Sequence, residues 1–259
     1  MTKTRKTTNQ REEEILRALQ QAGGSCRVSY LAGRLGVSNE TIRRNIRTLE
    51  DAQVVRKVHG GVHLVEDVNE LPLQSRMDTH ASEKQRLAIE VAKTISDGDS
   101  VFRDVGSTTA YVAQELRQRS NLFVVTNSVL VAHALASRNN NRVFLAGGEL
   151  RPHDGGAFGA EALDLVRRLN VQFAIFSAGA INAELGFMLH DLEEANLARV
   201  AAANAQVRIV VADHDKFNKR APVSIGKDTN FEVFYTDAQP PQAIKDMLKA
   251  MDTDLIVVE

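Results

Sequence analysis

Between Glu83 and Val258 the chain alternates short β-prone runs with segments of helical period, and no other feature narrows its fold as much. The strand-like runs fall at 100–104, 122–126, 142–146, 173–177, 207–212, 232–236 and 254–258. A helix carrying Leu87, Val91 and Ile95 begins near Glu83, and further helical segments are expected over 108–119, 128–137, 161–169, 193–205 and 242–250. Short buried-type strands separated by helices specify an α/β fold, with a mainly parallel sheet covered by helices on both faces. With 43% of residues hydrophobic, the chain has enough apolar material for such a core. No internal repeat is visible.

Residues 1–65 have a different character. They hold 12 Lys and Arg against 6 acids, a balance of +6, while the rest of the chain holds 20 against 27, a balance of −7. A basic head on an acidic body implies a polyanionic partner for the head alone. Within it, Ile15, Leu16, Leu19 and Ala22 recur at helical spacing after Gln10, with Glu12 to Glu14 in the first turn, and Gly23-Gly24 ends that helix. A second segment runs over 29–35 with Ser29 as its cap, and Gly36-Val37-Ser38 turns the chain into a third helix capped by Ser38. On that helix Ile42, Ile46 and Leu49 form the buried stripe, which leaves Asn39, Thr41, Arg43, Arg44 and Arg47 on the other faces. The runs 54–58 and 62–65 about His59-Gly60-Gly61 read as a hairpin. Helix, turn, arginine-bearing helix and hairpin together describe a winged helix-turn-helix for double-stranded DNA. Ser38, Asn39, Thr41, Arg43, Arg44 and Arg47 are its candidate groove residues, and Arg56, Lys57 and His59 reach the phosphates from the wing. The basic stretch Met1–Thr8 offers a further phosphate contact. Residues 66–82, with Pro72 and no clear period, read as a linker, which sets the expected domains at 1–65 and 83–259.

In open parallel sheets, ligands sit beyond the carboxyl ends of the strands. Here those positions are Asp104-Val105-Gly106-Ser107-Thr108-Thr109, Thr126-Asn127, Gly147-Gly148-Glu149, Gly179 and Asp213-His214-Asp215-Lys216. Gly106 permits close approach, and Ser107, Thr108 and Thr109 open a helix whose free N–H groups and dipole favour an anion. Lys216 supplies a point charge to the same phosphate. No G-x-G-x-x-G or P-loop pattern supports a dinucleotide or nucleoside triphosphate. The seven histidines show no metal-ligand spacing, and Asp213-His214-Asp215 reads first as a hydrogen-bonded loop, so neither a metal nor a cofactor is expected. Cys26 alone excludes an intrachain disulfide. The N-terminal stretch lacks the apolar core of a secretory signal and no run is long enough for a bilayer, so the expected compartment is the cytoplasm and no membrane partner is expected.

Residues 11–61 resemble the DNA-binding module of the DeoR family of bacterial regulators, through Val37-Ser38-Asn39-Glu40-Thr41-Ile42-Arg43-Arg44-Asn45-Ile46 and Arg56-Lys57-Val58-His59-Gly60-Gly61. Asn45 stands where that family has Asp. Residues 83–258 resemble its sensor domain, similar in fold to ribose-5-phosphate isomerase, through Asp104-x-Gly106-Ser107-Thr108-Thr109, Thr126-Asn127-Ser128, Gly147-Gly148-Glu149-Leu150-Arg151 and Asp213-His214-x-Lys216-Phe217. Asp154-Gly155-Gly156-x-x-Gly159 and the segment 235–241 look like the glycerol-3-phosphate repressor branch. The resemblance implies a repressor, a homodimer or homotetramer, relieved by a phosphorylated effector. It implies that Ser107, Thr108, Thr109 and Lys216 hold the phosphate, with Asp104, Gly106, Asn127, Gly147 and Gly148 nearby. The rival class is an isomerase-like enzyme with a fused DNA-binding head, its base drawn from Asp104, Asp191, Glu193 or Glu194. A pure interaction module is disfavoured by the anion-loop chemistry.

Overall fold

The computed structural model describes residues 9–22, 24–52, 54–64, 70–226 and 229–259; the basic stretch 1–8, Gly23 and Val65 lie outside them. The chain divides into two compact units, the first built from residues 1–68 with 218–220 and the second from 69–217 with 221–259.

In the first unit, α1 (Gln10–Gln21) opens on a reciprocal cap: the Glu12 N–H donates to Asn9 Oδ1 and the Asn9 N–H donates to Glu12 Oε2, each at 2.9 Å. After it come β1 (Ser25–Arg27), α2 (Val28–Leu35), α3 (Asn39–Asp51), β2 (Val55–Val58) and β3 (Gly61–Leu64). Ser29 does not cap α2. The cap position is Arg27, without a side-chain bond, because β1 pairs with β3 up to Arg27 and passes straight into the helix. Gly36 in the left-handed conformation ends α2, and Ser38 Oγ caps α3 by accepting the Thr41 N–H at 3.1 Å. Ile42, Ile46 and Leu49 are buried together with Ile15, Leu19, Leu31, Val55 and Val62, so the helical stripe read from the sequence is the core of this unit.

The second unit begins earlier than the alternation indicated. Inside the stretch expected to be a plain connector lies α4 (Leu73–Asp78), which buries Leu73 and Arg76, and α5 (Ala81–Lys93) follows two residues later. Then come β4 (Ser100–Arg103), α6 (Ser107–Glu115), β5 (Phe123–Thr126), α7 (Val129–Leu135), β6 (Arg142–Leu145), α8 (Ala160–Arg167) and β7 (Val171–Ser177). The chain continues through β8 (Ala180–Asn182), β9 (Gly186–Leu189), α9 (Leu192–Ala203), β10 (Ala205–Val211), β11 (Val223–Ser224), β12 (Val233–Thr236), α10 (Gln242–Ala250) and β13 (Asp254–Val257).

Seven strands form one sheet in the order β13-β12-β10-β7-β4-β5-β6, with every neighbouring pair parallel. Period-two alternation sends Val101, Val124, Ile175, Ile209 and Val211 to one face, against α5, α6 and α7. Phe102, Val125, Phe176 and Val210 go to the other, against α8, α9 and α10. A small antiparallel sheet, β11-β9-β8, was not foreseen; its strands are two to four residues long. From β4 the chain winds outward through β5 and β6, then returns to β7 on the other side of β4. The winding direction therefore reverses between β4 and β7, where a doubly wound sheet opens its crevice at the carboxyl ends.

Candidate nucleic-acid interface and ligand site

On the winged helix, Ser38, Asn39, Arg43, Arg44 and Arg47 are exposed and Thr41 is half-buried, all on α3 or its cap. Arg56, Lys57 and His59 are exposed on β2 and its turn. Among the described residues Arg44, Arg47 and Arg56 enter no ion pair, whereas Arg43 lies 3.8 Å from Glu40. Lys57 is engaged from within the unit: its ammonium pairs with Glu50 on α3, whose Oε1 also accepts the Lys57 N–H at 3.1 Å, and these bonds hold the Glu50 carboxyl below its usual pKa. The wing is thus tied to the C-terminal turn of α3. Its turn needs glycine because a Cβ on Gly61 would stand 2.7 Å from the Cys26 carbonyl oxygen. Asn45 donates from Nδ2 to the Thr41 carbonyl at 2.8 Å, a bond that an ionised Asp cannot make.

The second cluster lies at the β4/β7 reversal. Gly106 has φ 152° and ψ 157°, and a Cβ there would be 2.3 Å from Ser177 Oγ and 3.1 Å from Thr109 Oγ1. The loop after β4 therefore passes against the end of β7 with no room for a side chain. Ser107, Thr108 and Thr109 are buried in the first turn of α6, where N–H groups have no intrahelical acceptor. Beneath that turn Arg103, fully buried at the end of β4, donates to the Thr109 carbonyl, while its Nε and Nη1 have no partner among the described residues. Burial lowers the Arg103 pKa to about 9. Arg103 escaped sequence reasoning because a charged residue at a strand end looks solvated.

Asp104 and Asn127, at the ends of neighbouring strands β4 and β5, are fully buried. Asp104 Oδ1 accepts the Val105 N–H at 2.8 Å; Oδ2 and both amide atoms of Asn127 make no hydrogen bond of regular geometry among the described residues, although the Asn127 amide lies close enough to Asp104 to favour its carboxylate. Groups so placed cost free energy unless a ligand or water completes them. Burial raises the Asp104 pKa to about 7. The segment 150–157 closes over this position: the Ala157 N–H donates to the Asn127 carbonyl at 2.8 Å and the Val129 N–H to the Gly155 carbonyl at 3.2 Å. Arg151 anchors the segment, reaching Asp154 at 2.5 Å, Glu194 at 2.9 Å and Asp191 at 3.4 Å, with its guanidinium 4.2 Å from the Phe158 ring centroid. Burial works against the Arg151 charge, yet Asp154 and Glu194 hold its pKa above the ordinary value. Glu194 is itself buried, and desolvation followed by the nearby Asp104 and Glu70 charges raises its pKa to about 8.

Asp104, Gly106 to Thr109 and Asn127 thus converge on adjacent strand ends. Lys216 ends the turn His214–Lys216 after β10, two strands from β4, and Gly147 and Gly148 follow β6, two strands away on the other side. At ~4.8 Å per strand these flanks are ~10 Å from the centre, a span that suits a ligand of several heavy atoms better than a bare ion. Beside Lys216 lies Lys84, in the first turns of α5 and missed by the sequence reading. It is 3% exposed, with Nζ 3.9 Å from Asp213 Oδ2. The possible ligand atoms of His80, Asp213 and Asp215 lie within 4.8 Å of one another, but Lys84 already supplies the positive charge opposite Asp213.

An exposed arginine-bearing helix on a winged unit, followed by a parallel α/β unit with a glycine and hydroxyl loop at its winding reversal, defines a DNA-binding transcriptional regulator. The DeoR-like helix-turn-helix domain matches residues 11–68 and the DeoR C terminal sensor domain matches residues 79–238, so the chain belongs to the DeoR family. The transcriptional repressor CsqR of Escherichia coli strain K12 is 32% identical over 257 residues, 99% of this chain and 98% of its own. The glycerol-3-phosphate regulon repressor of the same organism is 34% identical over 239 residues, 92% of this chain and 94% of its own, in keeping with the motifs at 154–159 and 235–241. Ribose 5-phosphate isomerase A from Methanocaldococcus jannaschii is 19% identical with a TM-score of 0.40, covering 54% of this chain and 55% of its own, a likeness too low to bear on activity. The chain is a DeoR-family transcriptional regulator, and CsqR and the glycerol-3-phosphate regulon protein are both named as repressors. No described helix is long and apolar enough to cross a membrane.

Proposed function

We propose that this regulator is a repressor of a carbon-metabolism operon, acting in the cytoplasm as a homodimer or homotetramer and released by a phosphorylated sugar or a glycerol-3-phosphate-type effector. The observation that carries the effector reading is the glycine and hydroxyl loop at Gly106 beside fully buried polar atoms of Asp104 and Asn127 that make no regular hydrogen bond among the described residues. The α6 N-terminus, Ser107, Thr108, Thr109 and Lys216 take the phosphate. Asp104 and Asn127 take hydroxyl groups, and Gly147 and Gly148 border the far side. On the DNA side, Ser38, Asn39, Thr41, Arg43, Arg44 and Arg47 enter the major groove while Arg56, Lys57 and His59 lie along the backbone. A two-fold assembly spaces two such helices by about 34 Å or a multiple of it, matching repeated half-sites. Repression by two relatives of nearly full coverage supports the sign of the response.

Thermal shift with phosphorylated three- to six-carbon compounds tests the effector, because a ligand at a hundred times its Kd stabilises by ~2.7 kcal/mol. Lys216→Ala is expected to leave operator affinity intact and to lose most of that shift; an unchanged shift removes Lys216 from the site. For DNA, Arg44→Ala is expected to cost ~1–3 kcal/mol on operator and little on random sequence. Arg56→Ala and Lys57→Ala weaken both alike and reduce the salt slope by about one. Equal losses on both DNAs for Arg44→Ala, measured by titration at several salt concentrations, contradict the groove assignment.

A further inference from the structure

The loops of the sheet edge converge on α4, the first element described after the winged helix. At its start the Leu73 N–H donates to the His153 carbonyl at 3.0 Å, in the segment that closes over Asn127. Near its end the Tyr111 hydroxyl, on the helix opened by the anion loop, donates to the Met77 carbonyl at 3.1 Å. At its last turn the Lys84 ammonium donates to the carbonyls of Arg76 at 2.6 Å and Thr79 at 2.7 Å. These carbonyls belong to the end of a short helix, where intrahelical donors run out. The same ammonium stands 3.9 Å from Asp213, at the head of the turn that carries Lys216. Lys84 therefore links the end of α4 directly to the strand end that bears the proposed phosphate cation.

Electrostatics places this link under tension. Burial lowers the Lys84 pKa; Asp213 opposes the fall, and the Lys216 and Arg76 charges add to it. Lys84 and Lys216 thus share this corner with Asp213 and Asp215, while Arg76 is held by Glu70 at 2.5 Å. An arriving anion is attracted to that corner and competes with the two carbonyls for the Lys84 donors, since a charged acceptor forms the stronger hydrogen bond.

We infer that Lys84 is the positioning residue that transmits effector capture to α4: a phosphate held by the Gly106 loop and Lys216 draws the Lys84 ammonium from the Arg76 and Thr79 carbonyls and frees the end of that helix. The inference rests on the effector reading above. Hydrogen exchange on the full-length protein, with inorganic phosphate and with glycerol 3-phosphate as separate probes, tests both at once. In the wild type the bound probe is expected to slow exchange at amides 107–110 and to speed it several-fold at amides 74–79. Lys84→Gln keeps a donor for the carbonyls but no charge for the anion. It is expected to retain the slowing at 107–110 and lose the acceleration at 74–79, and Lys84→Arg is expected to restore part of it. Slowing at 107–110 with no acceleration at 74–79 in the wild type overturns the role of Lys84, as does acceleration that survives in Lys84→Gln. No slowing at 107–110 with either probe removes the effector site itself and the Lys84 inference with it. Because the wild-type comparison stands without any variant, a Lys84→Gln chain that failed to fold would not protect the inference.

Discussion

Gly106→Ala is expected to destabilise the second unit by ~2–4 kcal/mol, combining the strain of a backbone region almost closed to side chains with a steric clash. At φ 152° and ψ 157° the added Cβ meets Ser177 Oγ at 2.3 Å and Thr109 Oγ1 at 3.1 Å. The two terms separate experimentally. Ser177→Ala removes the nearer atom, so Gly106→Ala/Ser177→Ala should recover the clash portion and keep the backbone portion. Urea denaturation of the four proteins gives the coupling directly. The functional loss is expected to exceed the loss of stability, because relief of the clash shifts the loop proposed to hold the anion. The double variant should therefore regain part of the stability and, with the loop no longer displaced by Ser177, part of the thermal shift produced by a phosphorylated ligand. A single variant as stable as wild type would mean that the loop approaches β7 less closely than these distances require.

The difference between what could be read from the residues and what required the structure has a physical pattern. Periodicity located α3 and its stripe of Ile42, Ile46 and Leu49 because a 13-residue amphipathic helix repeats its signal several times. The wing was visible because a glycine pair between two β-prone runs has few other uses. Strands of the parallel sheet stood out as apolar runs, since both of their faces are covered. By contrast, α4 spans six residues and β1 three, too short for any period to accumulate. The β11-β9-β8 sheet is invisible for the same reason. The cap of α1 did carry a local signal, Asn9 followed three residues later by Glu12, which the reading of Glu12 as a dipole partner passed over. Arg103 and Lys84 are a different case. No period separates a buried cation from a solvated one, because its partners are carbonyls of neighbouring turns that only the fold brings round, Thr109 for Arg103 and Arg76 and Thr79 for Lys84, with the remote Asp213 added for Lys84.

The buried acids at the sheet edge predict an unusual dependence of stability on pH. Asp104 and Glu194 have pKa values raised to about 7 and about 8, chiefly by burial. Each therefore binds its proton more tightly in the folded chain than in the unfolded one. The stability that this contributes is fully present below the unfolded carboxyl pKa of about 4, and it is lost as pH rises through 7 and 8. Asp154 and Glu232 have lowered values, so their contribution has the opposite sense, present at neutral pH and lost on acidification. The expected contribution of the buried acids falls between pH 5 and pH 8, carried chiefly by Asp104, because the Arg151 guanidinium 2.9 Å from Glu194 opposes protonation of that acid. Asp104→Asn keeps the acceptor for the Val105 N–H and removes the charge. Its stability relative to wild type should rise from pH 5 to pH 8, which flattens the slope between them. Urea midpoints at three pH values decide this; a wild-type stability that rises from pH 5 to pH 8, or a slope unchanged in Asp104→Asn, would show that Asp104 is not the group being titrated. A ligand hydroxyl donating to the open Oδ2 favours the ionised carboxylate, so effector binding near neutral pH should release protons. Calorimetry in two buffers of different ionisation enthalpy then yields different apparent binding heats, and the difference should vanish in Asp104→Asn.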